Sequence, residues 1–205
     1  MRLTMRIGVL GLQGAFTEHV EAVQRAYAKM GMVGEVGTIR RREELEKLDG
    51  LIMPGGESTT ISKLLRTFDL HDQLVKRALE EDFPILGTCA GLILLSKEGD
   101  DQVTKTDTRL LGLMDMTTNR NAFGRQRESF EAELQIKGFS HPVPGVFIRA
   151  PAITRVWGAC EALGQLGPHI IAAQQANRLA IAFHPELTRD TSVHERFIDI
   201  VRKWR

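Results

Sequence analysis

The sequence predicts an α/β protein in which helices cover both faces of a mainly parallel central sheet. Short apolar runs, the pattern of strands buried on both faces, alternate along the first half with segments of helical periodicity. Glycine or proline lies in or beside most of the apolar runs, as expected where strands end. Strand and helix alternating at this spacing favour parallel strands joined by crossover helices.

The first half supplies most of this pattern. Residues 16–30 place Val20, Val23, Ala26 and Tyr27 on one helical face, and Gly31 is a suitable stop signal. Strands are predicted at residues 6–12, 36–39, 50–53 and 83–87, and helices at residues 16–30, 58–68, 70–81 and 90–97.

The second half has a different pattern. Residues 130–137 alternate between apolar and polar, which predicts a half-solvated strand. The polar stretch 99–109 is predicted to be an exposed loop. Further strands are predicted at residues 145–148, 170–174 and 179–183, and a closing helix at residues 192–204.

Composition narrows the possible functions. The 205 residues are best interpreted as one domain, residues 1–205. Because 27 basic side chains nearly balance 26 acidic ones, neither nucleic acid nor a membrane is expected as a partner. Two cysteines do not make a disulfide framework, and no signal peptide is evident, so we expect a cytoplasmic protein. The longest nearly apolar run, residues 85–95, is about half the ~20 residues of a membrane span.

Cys89 is the first candidate for chemistry. It lies in Gly87-Thr88-Cys89-Ala90-Gly91, between an apolar strand and an apolar helix. This is the layout of a nucleophile elbow, whose sharp turn needs small residues on either side. The alternative is that Cys89 is one more buried small apolar residue. Cys160 lacks elbow glycines and is interpreted as structural.

His184 is the candidate base. His184-Pro185-Glu186 lies at the carboxyl end of an apolar strand, the edge at which active sites of α/β sheets gather. Proline holds the preceding residue extended, so His184 and Glu186 should project to the same side. The alternative is a capping histidine beside a solvated glutamate. Surface positions are predicted for His19, His71, His141, His169 and His194, and no spacing predicts a metal site.

A third candidate feature is Pro54-Gly55-Gly56-Glu57-Ser58, which also follows a strand and precedes a helix. Adjacent glycines let backbone N–H groups approach a substrate and stabilise an oxyanion. The alternative is a tight turn with Ser58 as the helix N-cap. The sequence contains no Gly-Lys pair of a P-loop and no dinucleotide-binding glycine pattern, so no cofactor is expected.

Together these features resemble the class I, or triad, glutamine amidotransferases, and within them the glutaminase subunits of pyridoxal 5′-phosphate synthase. The resemblance spans nearly the whole chain, although the 99–109 stretch is longer and more charged than is usual there. It rests on six motifs, Gly11-Leu12-Gln13-Gly14-Ala15, Pro54-Gly55-Gly56-Glu57-Ser58-Thr59-Thr60, Gly87-Thr88-Cys89-Ala90-Gly91-Leu92, Arg120-Asn121-Ala122-Phe123-Gly124-Arg125-Gln126, Phe147-Ile148-Arg149-Ala150-Pro151 and Phe183-His184-Pro185-Glu186-Leu187.

The resemblance implies a flavodoxin-like three-layer sandwich of the class I amidotransferase type. It also implies a glutaminase in which Cys89 is the nucleophile, His184 the base and Glu186 its orienting carboxylate. The oxyanion would be held by the N–H groups of Gly56 and Ala90. Glutamine would be bound by Gly55, Gly56, Glu57, Arg120, Ile148 and Arg149, although without the resemblance both arginines would be interpreted as surface charges.

The implied partners are L-glutamine and a pyridoxal 5′-phosphate synthase subunit of the PdxS type, in a hetero-oligomeric complex. Gln13 would lie near the contact with that subunit, and no metal or cofactor is implied. Three alternatives stay open at this point. They are a glutaminase of another class I amidotransferase, a cysteine peptidase or stress protein of related α/β fold, and a binding module without catalytic activity.

Overall fold

A computed structural model describes residues 4–123 and 129–205, so the predicted motif at residues 120–126 lies partly outside the described residues. The α-helices are α1 (Phe16–Lys29), α2 (Arg42–Leu45), α3 (Ser58–Thr67), α4 (His71–Glu80), α5 (Ala90–Leu95), α6 (Asp101–Lys105) and α7 (Ser192–Trp204). The strands are β1 (Met5–Leu10), β2 (Gly34–Ile39), β3 (Gly50–Met53), β4 (Ile85–Thr88), β5 (Ser96–Gly99), β6 (Met114–Asn119), β7 (Ser129–Leu134), β8 (Val143–Ile148), β9 (Ala152–Val156), β10 (Glu161–Leu166), β11 (His169–Gln175) and β12 (Arg178–Ile181).

The main sheet has the strand order β2-β1-β3-β4-β12-β11-β9-β6-β5, with β10 paired to β11. From β2 to β12 every neighbouring pair is parallel, whereas β12, β11, β9 and β6 are joined by antiparallel pairs. Strands β7 and β8 form a separate antiparallel hairpin. The predicted parallel sheet is therefore confirmed for the half built from β1 to β4 and β12.

The register of the parallel half brings three loops together. Met53 lies opposite Gly87, and Thr88 lies opposite Ile181. Because these strands run in the same direction, the segments after β3, β4 and β12 all emerge at one edge of the sheet. Pro54-Gly55-Gly56, Cys89 and His184 belong to these segments.

Helices complete the three layers. Helix α1 packs against α7, and α3 packs against α4 and α5. Residues of β1, β3, β4 and β12 are almost all buried, as parallel strands covered on both faces require. None of the helices within residues 4–123 and 129–205 is both long and apolar enough to cross a bilayer.

Two predictions about elements were wrong. The helix predicted at residues 90–97 ends at Leu95, because Ser96 donates its hydroxyl to the Ile93 carbonyl (2.7 Å) and begins β5. The stretch 99–109 is not an exposed loop, since it contains α6, capped by Asp100 and anchored by the buried Val103. Strands β5, β6, β9 and β10 were not predicted.

Candidate active site

Cys89 occupies a sharp turn between β4 and α5. Its backbone has φ 48° and ψ −103°, a conformation that costs free energy for any residue with a side chain. The Cys89 N–H donates to the Ile181 carbonyl of the neighbouring strand at 2.9 Å, which holds the turn in place. The residue is 8% exposed. This is the geometry of a nucleophile elbow, as the sequence predicted.

Close packing explains the elbow glycines. A Cβ atom added to Gly91 would lie 2.1 Å from the Met53 carbonyl oxygen, and one added to Gly87 would lie 2.7 Å from the backbone of Gly91. Because these contacts are with backbone atoms, relieving them would require the strand or the helix to move. Both positions therefore exclude a side chain. The small residues around Cys89 allow α5 to approach β3 and β4 directly.

His184 and Glu186 form a buried pair after β12. The Nδ1 atom of His184 lies 2.7 Å from Oε1 of Glu186, and the two residues are only 7% and 4% exposed. The sequence predicted that an extended backbone would align them. Instead a 3₁₀ turn at Pro185–Leu187 brings Glu186 back to the imidazole. The alternative prediction, a capping histidine beside a solvated glutamate, was wrong, because Glu186 is buried.

The charge state of His184 reflects two opposing effects. Burial by itself lowers the pKa of His184, but hydrogen bonds to Cys89 and Glu186 outweigh it and raise the pKa to about 10. With Nδ1 engaged by Glu186, Nε2 is the ring nitrogen left to face the sulfur. The pairing with Glu186 can thus keep His184 as an imidazolium next to the Cys89 sulfur.

Gly55 lies directly against this pair. A Cβ atom at Gly55 would come within 2.4 Å of Cε1 of His184 and 3.3 Å of Cβ of Cys89. The Gly55 carbonyl accepts a hydrogen bond of 3.3 Å from the N–H of Ala15. Because the peptide is trans, the Gly56 N–H points away from that loop.

The loop before α1 secures the same turn. The Oε1 atom of Gln13 accepts a hydrogen bond of 2.8 Å from the N–H of Glu57. A Cβ atom at Gly14 would lie only 1.7 Å from the Gly55 carbonyl oxygen, so the two backbones are in contact. Gln13 therefore fixes the backbone next to the candidate oxyanion donor.

A cavity of about 260 Å³ opens over the sulfur. Its lining includes six of the predicted substrate-binding, oxyanion-hole and catalytic residues. It does not include Gly55, His184, Glu186 or Ile148, the last of which is 39% exposed at the end of β8. Its lining comprises Gly56, Glu57, Ser58, Cys89, Ala90, Ile93, Gln102, Arg120, Asn121, Arg149 and Pro151.

Glu57 and Arg120 meet on one wall of the cavity. Glu57 is the N-cap of α3, accepting from the N–H groups of Thr59 (3.0 Å) and Thr60 (2.6 Å), so the alternative that Ser58 is the cap was wrong. Burial alone raises the pKa of Glu57, but these bonds and the Thr60 hydroxyl lower it overall. Nη2 of Arg120 lies 3.1 Å from Oε1 of Glu57.

Residues 99–109, which were predicted to be a loop, also support Arg120. Asp100 accepts the Arg120 N–H at 2.8 Å, and the Thr106 hydroxyl accepts from Nη1 at 3.0 Å. The Arg120 side chain is 13% exposed and is not an ordinary surface charge. Arg149, in contrast, is exposed and has φ 44°, a strained backbone conformation two residues before Pro151.

The prediction of surface positions was wrong for three histidines. His19, His71 and His194 are buried, and their rings make hydrogen bonds with residues far away in the sequence. His19 was missed as a member of the site, since Nε2 lies 3.3 Å from Oε2 of Glu186. Only its spacing on the buried face of α1, three and four residues before Ala22 and Val23, could have indicated it.

Cys160 contrasts with Cys89. It is buried, and burial followed by the nearby Asp115 raises its pKa to about 11. A thiol with that pKa is a poor nucleophile at neutral pH. Within residues 4–123 and 129–205, no three His, Cys, Asp or Glu side chains are grouped so as to hold a metal ion.

A three-layer α/β sheet with cysteine at an elbow, and a histidine–glutamate pair after the adjacent strand, defines the class of triad glutamine amidotransferases. Within it, this chain belongs to the SNO glutamine amidotransferase family, which matches residues 9–203. A solved structure described as a glutamine amidotransferase is 43% identical, with a TM-score of 0.85, and the match covers 96% of this chain and 98% of that one.

Curated relatives are similar over nearly the full length. The pyridoxal 5′-phosphate synthase subunit PdxT of Methanosarcina barkeri is 50% identical over 97% of this chain and 99% of its own. The subunit of the same name from Archaeoglobus fulgidus is 52% identical over 96% of this chain and 98% of its own.

Proposed function

We propose that this chain is the glutaminase subunit of a pyridoxal 5′-phosphate synthase, with residues 1–205 acting as one domain. It hydrolyses L-glutamine to L-glutamate and ammonia and passes the ammonia to a synthase subunit. The observation that carries the proposal is the elbow cysteine beside the 2.7 Å His184–Glu186 pair, in a chain about half identical to PdxT subunits.

The first half of the reaction uses two side chains and two backbone N–H groups. The Cys89 thiolate attacks the side-chain amide carbon of glutamine, and the carbonyl oxygen becomes an oxyanion. Gly56 and Ala90 line the cavity, and in this proposal their N–H groups stabilise that charge. The imidazolium of His184 then donates its proton to the amide nitrogen, so ammonia leaves and a glutamyl thioester stays on Cys89.

The second half regenerates the thiolate. Neutral His184 removes a proton from water, and the resulting hydroxide attacks the thioester carbon. The carbon–sulfur bond breaks, glutamate departs, and the sulfur regains its negative charge beside the imidazolium. Throughout, Glu186 keeps Nδ1 of His184 protonated and its ring directed at Cys89.

Charge in the cavity supports an amino acid as substrate. The lining offers the carboxylate of Glu57 and the guanidinium groups of Arg120 and Arg149. An α-carboxylate matches a guanidinium fork, and an α-ammonium group matches a carboxylate or carbonyl oxygens. We assign the first role to the arginines and the second to Glu57, with Ile148 and Gly55 completing the surroundings of the glutamine.

Contact with the synthase subunit is assigned to the loop of Gln13. This loop holds the Gly55 carbonyl through Ala15 and the Glu57 N–H through Gln13. The Gly55–Gly56 peptide can rotate at little steric cost, which would remove or restore an oxyanion donor. One such donor is worth roughly 10²–10³ in rate, so a partner that settles this loop would act as a switch.

The test is glutamate release from glutamine, with and without a pyridoxal 5′-phosphate synthase subunit. We expect weak activity alone and strong stimulation by the synthase. Gln13→Ala should reduce the stimulated rate more than the basal one, whereas Gln73→Ala, at an exposed contact with Glu46, should change neither. Equal rates at concentrations where the two subunits demonstrably bind would contradict the switch. Release of fragments from peptides instead of glutamate from glutamine would favour the peptidase alternative.

A further inference from the structure

Two fully buried histidines lie behind the His184–Glu186 pair, and the reaction described above does not use them. His19 in α1 and His194 in α7 are both 0% exposed. Nδ1 of His19 is 3.0 Å from Nε2 of His194. Nε2 of His19 is 3.1 Å from the Thr88 hydroxyl and 3.3 Å from Oε2 of Glu186. His19 therefore contacts both the residue before the nucleophile and the carboxylate that orients the base.

The surroundings select one tautomer. If His19 carried its proton on Nδ1, its bare Nε2 would face a carboxylate oxygen, and the buried Nδ1–H of His194 would have no acceptor within the described residues. With the proton on Nε2, His19 donates toward Thr88 and Glu186 and accepts from the Nε2–H of His194. Only a lone pair of His194 is then left without a partner, which costs less than a buried donor.

Glu186 needs such a donor. Its side chain is 0% exposed, and Oε1 is engaged by His184. Within residues 4–123 and 129–205, Oε2 makes no well-aligned hydrogen bond. The Nε2–H of His19 is better aligned with the Thr88 hydroxyl than with this oxygen. The Nε2–H of His19, 3.3 Å away, therefore stabilises the negative charge on this buried oxygen electrostatically.

A neutral donor suits this position. Burial, followed by the proximity of His194 and His184, holds the pKa of His19 well below its usual value. A cation here would compete with the His184 imidazolium for the charge of Glu186. A neutral imidazole orients the carboxylate and leaves that charge available to His184.

We propose that His19 is a positioning residue for the glutamine hydrolysis proposed above. It fixes the Glu186 carboxylate against His184 and ties it to Thr88, beside the nucleophile. The inference rests on the proposed function, because positioning is measured through that reaction. Loss of a positioning contact at this distance should reduce the rate by ~10- to 100-fold.

The first experiment compares two replacements in the complete complex with the synthase subunit. His19→Leu removes the donor and keeps similar bulk, whereas His19→Gln can present an amide N–H near the place of Nε2. We expect His19→Leu to lower kcat with little change in KM, and His19→Gln to restore part of kcat. Equal kcat values for wild type and His19→Leu would overturn the proposal, and so would an equal loss in both variants.

The second experiment tests whether His19 acts through Glu186. In a Glu186→Gln background, His19→Leu should reduce kcat much less than it does in the wild type, because the carboxylate is already gone. Thr88→Val removes the other partner and should cost less than His19→Leu. Additive losses, or a loss in Thr88→Val as large as that in His19→Leu, would show that His19 serves the elbow and not the carboxylate.

A third readout does not depend on glutamine. In a Cys160→Ala background Cys89 is the only thiol, and its alkylation by iodoacetamide at neutral pH reports the thiolate–imidazolium pair. We expect slower alkylation in His19→Leu than in wild type or His19→Gln, with thermal unfolding confirming that each variant is folded. An unchanged alkylation rate would contradict the proposal. If even the wild type released no glutamate but the alkylation rates differed as expected, the proposed function would fail and the positioning role would stand.

Discussion

Thr88 at the end of β4 lies opposite Ile181 at the end of β12, in parallel register. The bond from the Cys89 N–H to the Ile181 carbonyl continues this pairing by one residue, so the elbow is fastened to the strand that leads to His184. Cysteine and histidine thus reach the same edge of the sheet from distant parts of the chain.

Replacing Cys89 by alanine should abolish glutamine hydrolysis. In the proposed reaction the sulfur is the nucleophile. Alanine can occupy the same backbone turn, so the free energy of unfolding should change little. The measurements are glutamate release with the synthase subunit and urea unfolding. Cys160→Ala is the matched control, because that thiol is buried away from the cavity, and it should retain most activity. If Cys160→Ala abolished hydrolysis and Cys89→Ala did not, Cys160 would be the nucleophile.

Replacing His184 by asparagine should reduce the rate of glutamate release by ~10²-fold or more, the usual contribution of a general base. Glu186→Gln should cost less, because the imidazole remains but loses the carboxylate that raises its pKa. The ranking of the two losses, measured under the same conditions, checks the roles. Wild-type rates in His184→Asn would rule out the triad.

Gly55→Ala should impair catalysis without unfolding the protein. The added Cβ would lie 2.4 Å from Cε1 of His184 and would push the imidazole away from the sulfur. We expect a large fall in kcat, measured with the synthase subunit. Gly37→Ala in β2 is the control, because a Cβ there has no atom within 4 Å, and its activity should match wild type. Full activity in Gly55→Ala would show that the ring can move freely.

Arg120→Ala and Arg149→Ala should weaken glutamine use, seen as a higher KM or a lower rate with the synthase subunit. Alkylation of Cys89 by iodoacetamide should persist in both, because that reagent needs no guanidinium. Arg66→Ala, which breaks an exposed contact with Asp107, should leave glutamine turnover unchanged. If neither Arg120 nor Arg149 affected glutamine turnover, the substrate would lie elsewhere in the cavity.

His194 should make the fold sensitive to acid. Burial, then the nearby Arg25, lowers its pKa to about 3, although Asp190 opposes this. Between that value and its ordinary pKa of about 6.5, the unfolded chain binds a proton that the folded chain does not, so stability falls as pH falls through this range.

The measurement is the free energy of unfolding in urea as a function of pH. His194→Leu should lose less stability than wild type between about pH 6.5 and about pH 3. His141→Leu replaces a histidine whose side chain is 46% exposed, and its pH profile should follow wild type. Identical profiles for His194→Leu and wild type would show that this imidazole is not held neutral.

Local features were predictable because short segments determine them. Small residues around Cys89 predicted the elbow, since only they fit between β3, β4 and α5. Periodicity predicted the parallel strands and the long helices. Strands buried on both faces are continuously apolar, and helices buried on one face have apolar residues at helical spacing. The strands β6 and β10 were missed. In β6 the third of the alternate buried positions is a threonine, Thr118, and in β10 the glycine Gly164 interrupts the pattern.

The sequence by itself determined the strand–elbow–helix unit, the family motifs and the candidate residues Cys89, His184 and Glu186. The tertiary structure decided that β12 pairs with β4, that a 3₁₀ turn brings Glu186 to His184, and that His19 is buried beneath them. Local conformation depends on side chains a few residues apart. The pairing of distant strands and the burial of a polar ring depend on the free energy of the whole fold, which no short segment contains.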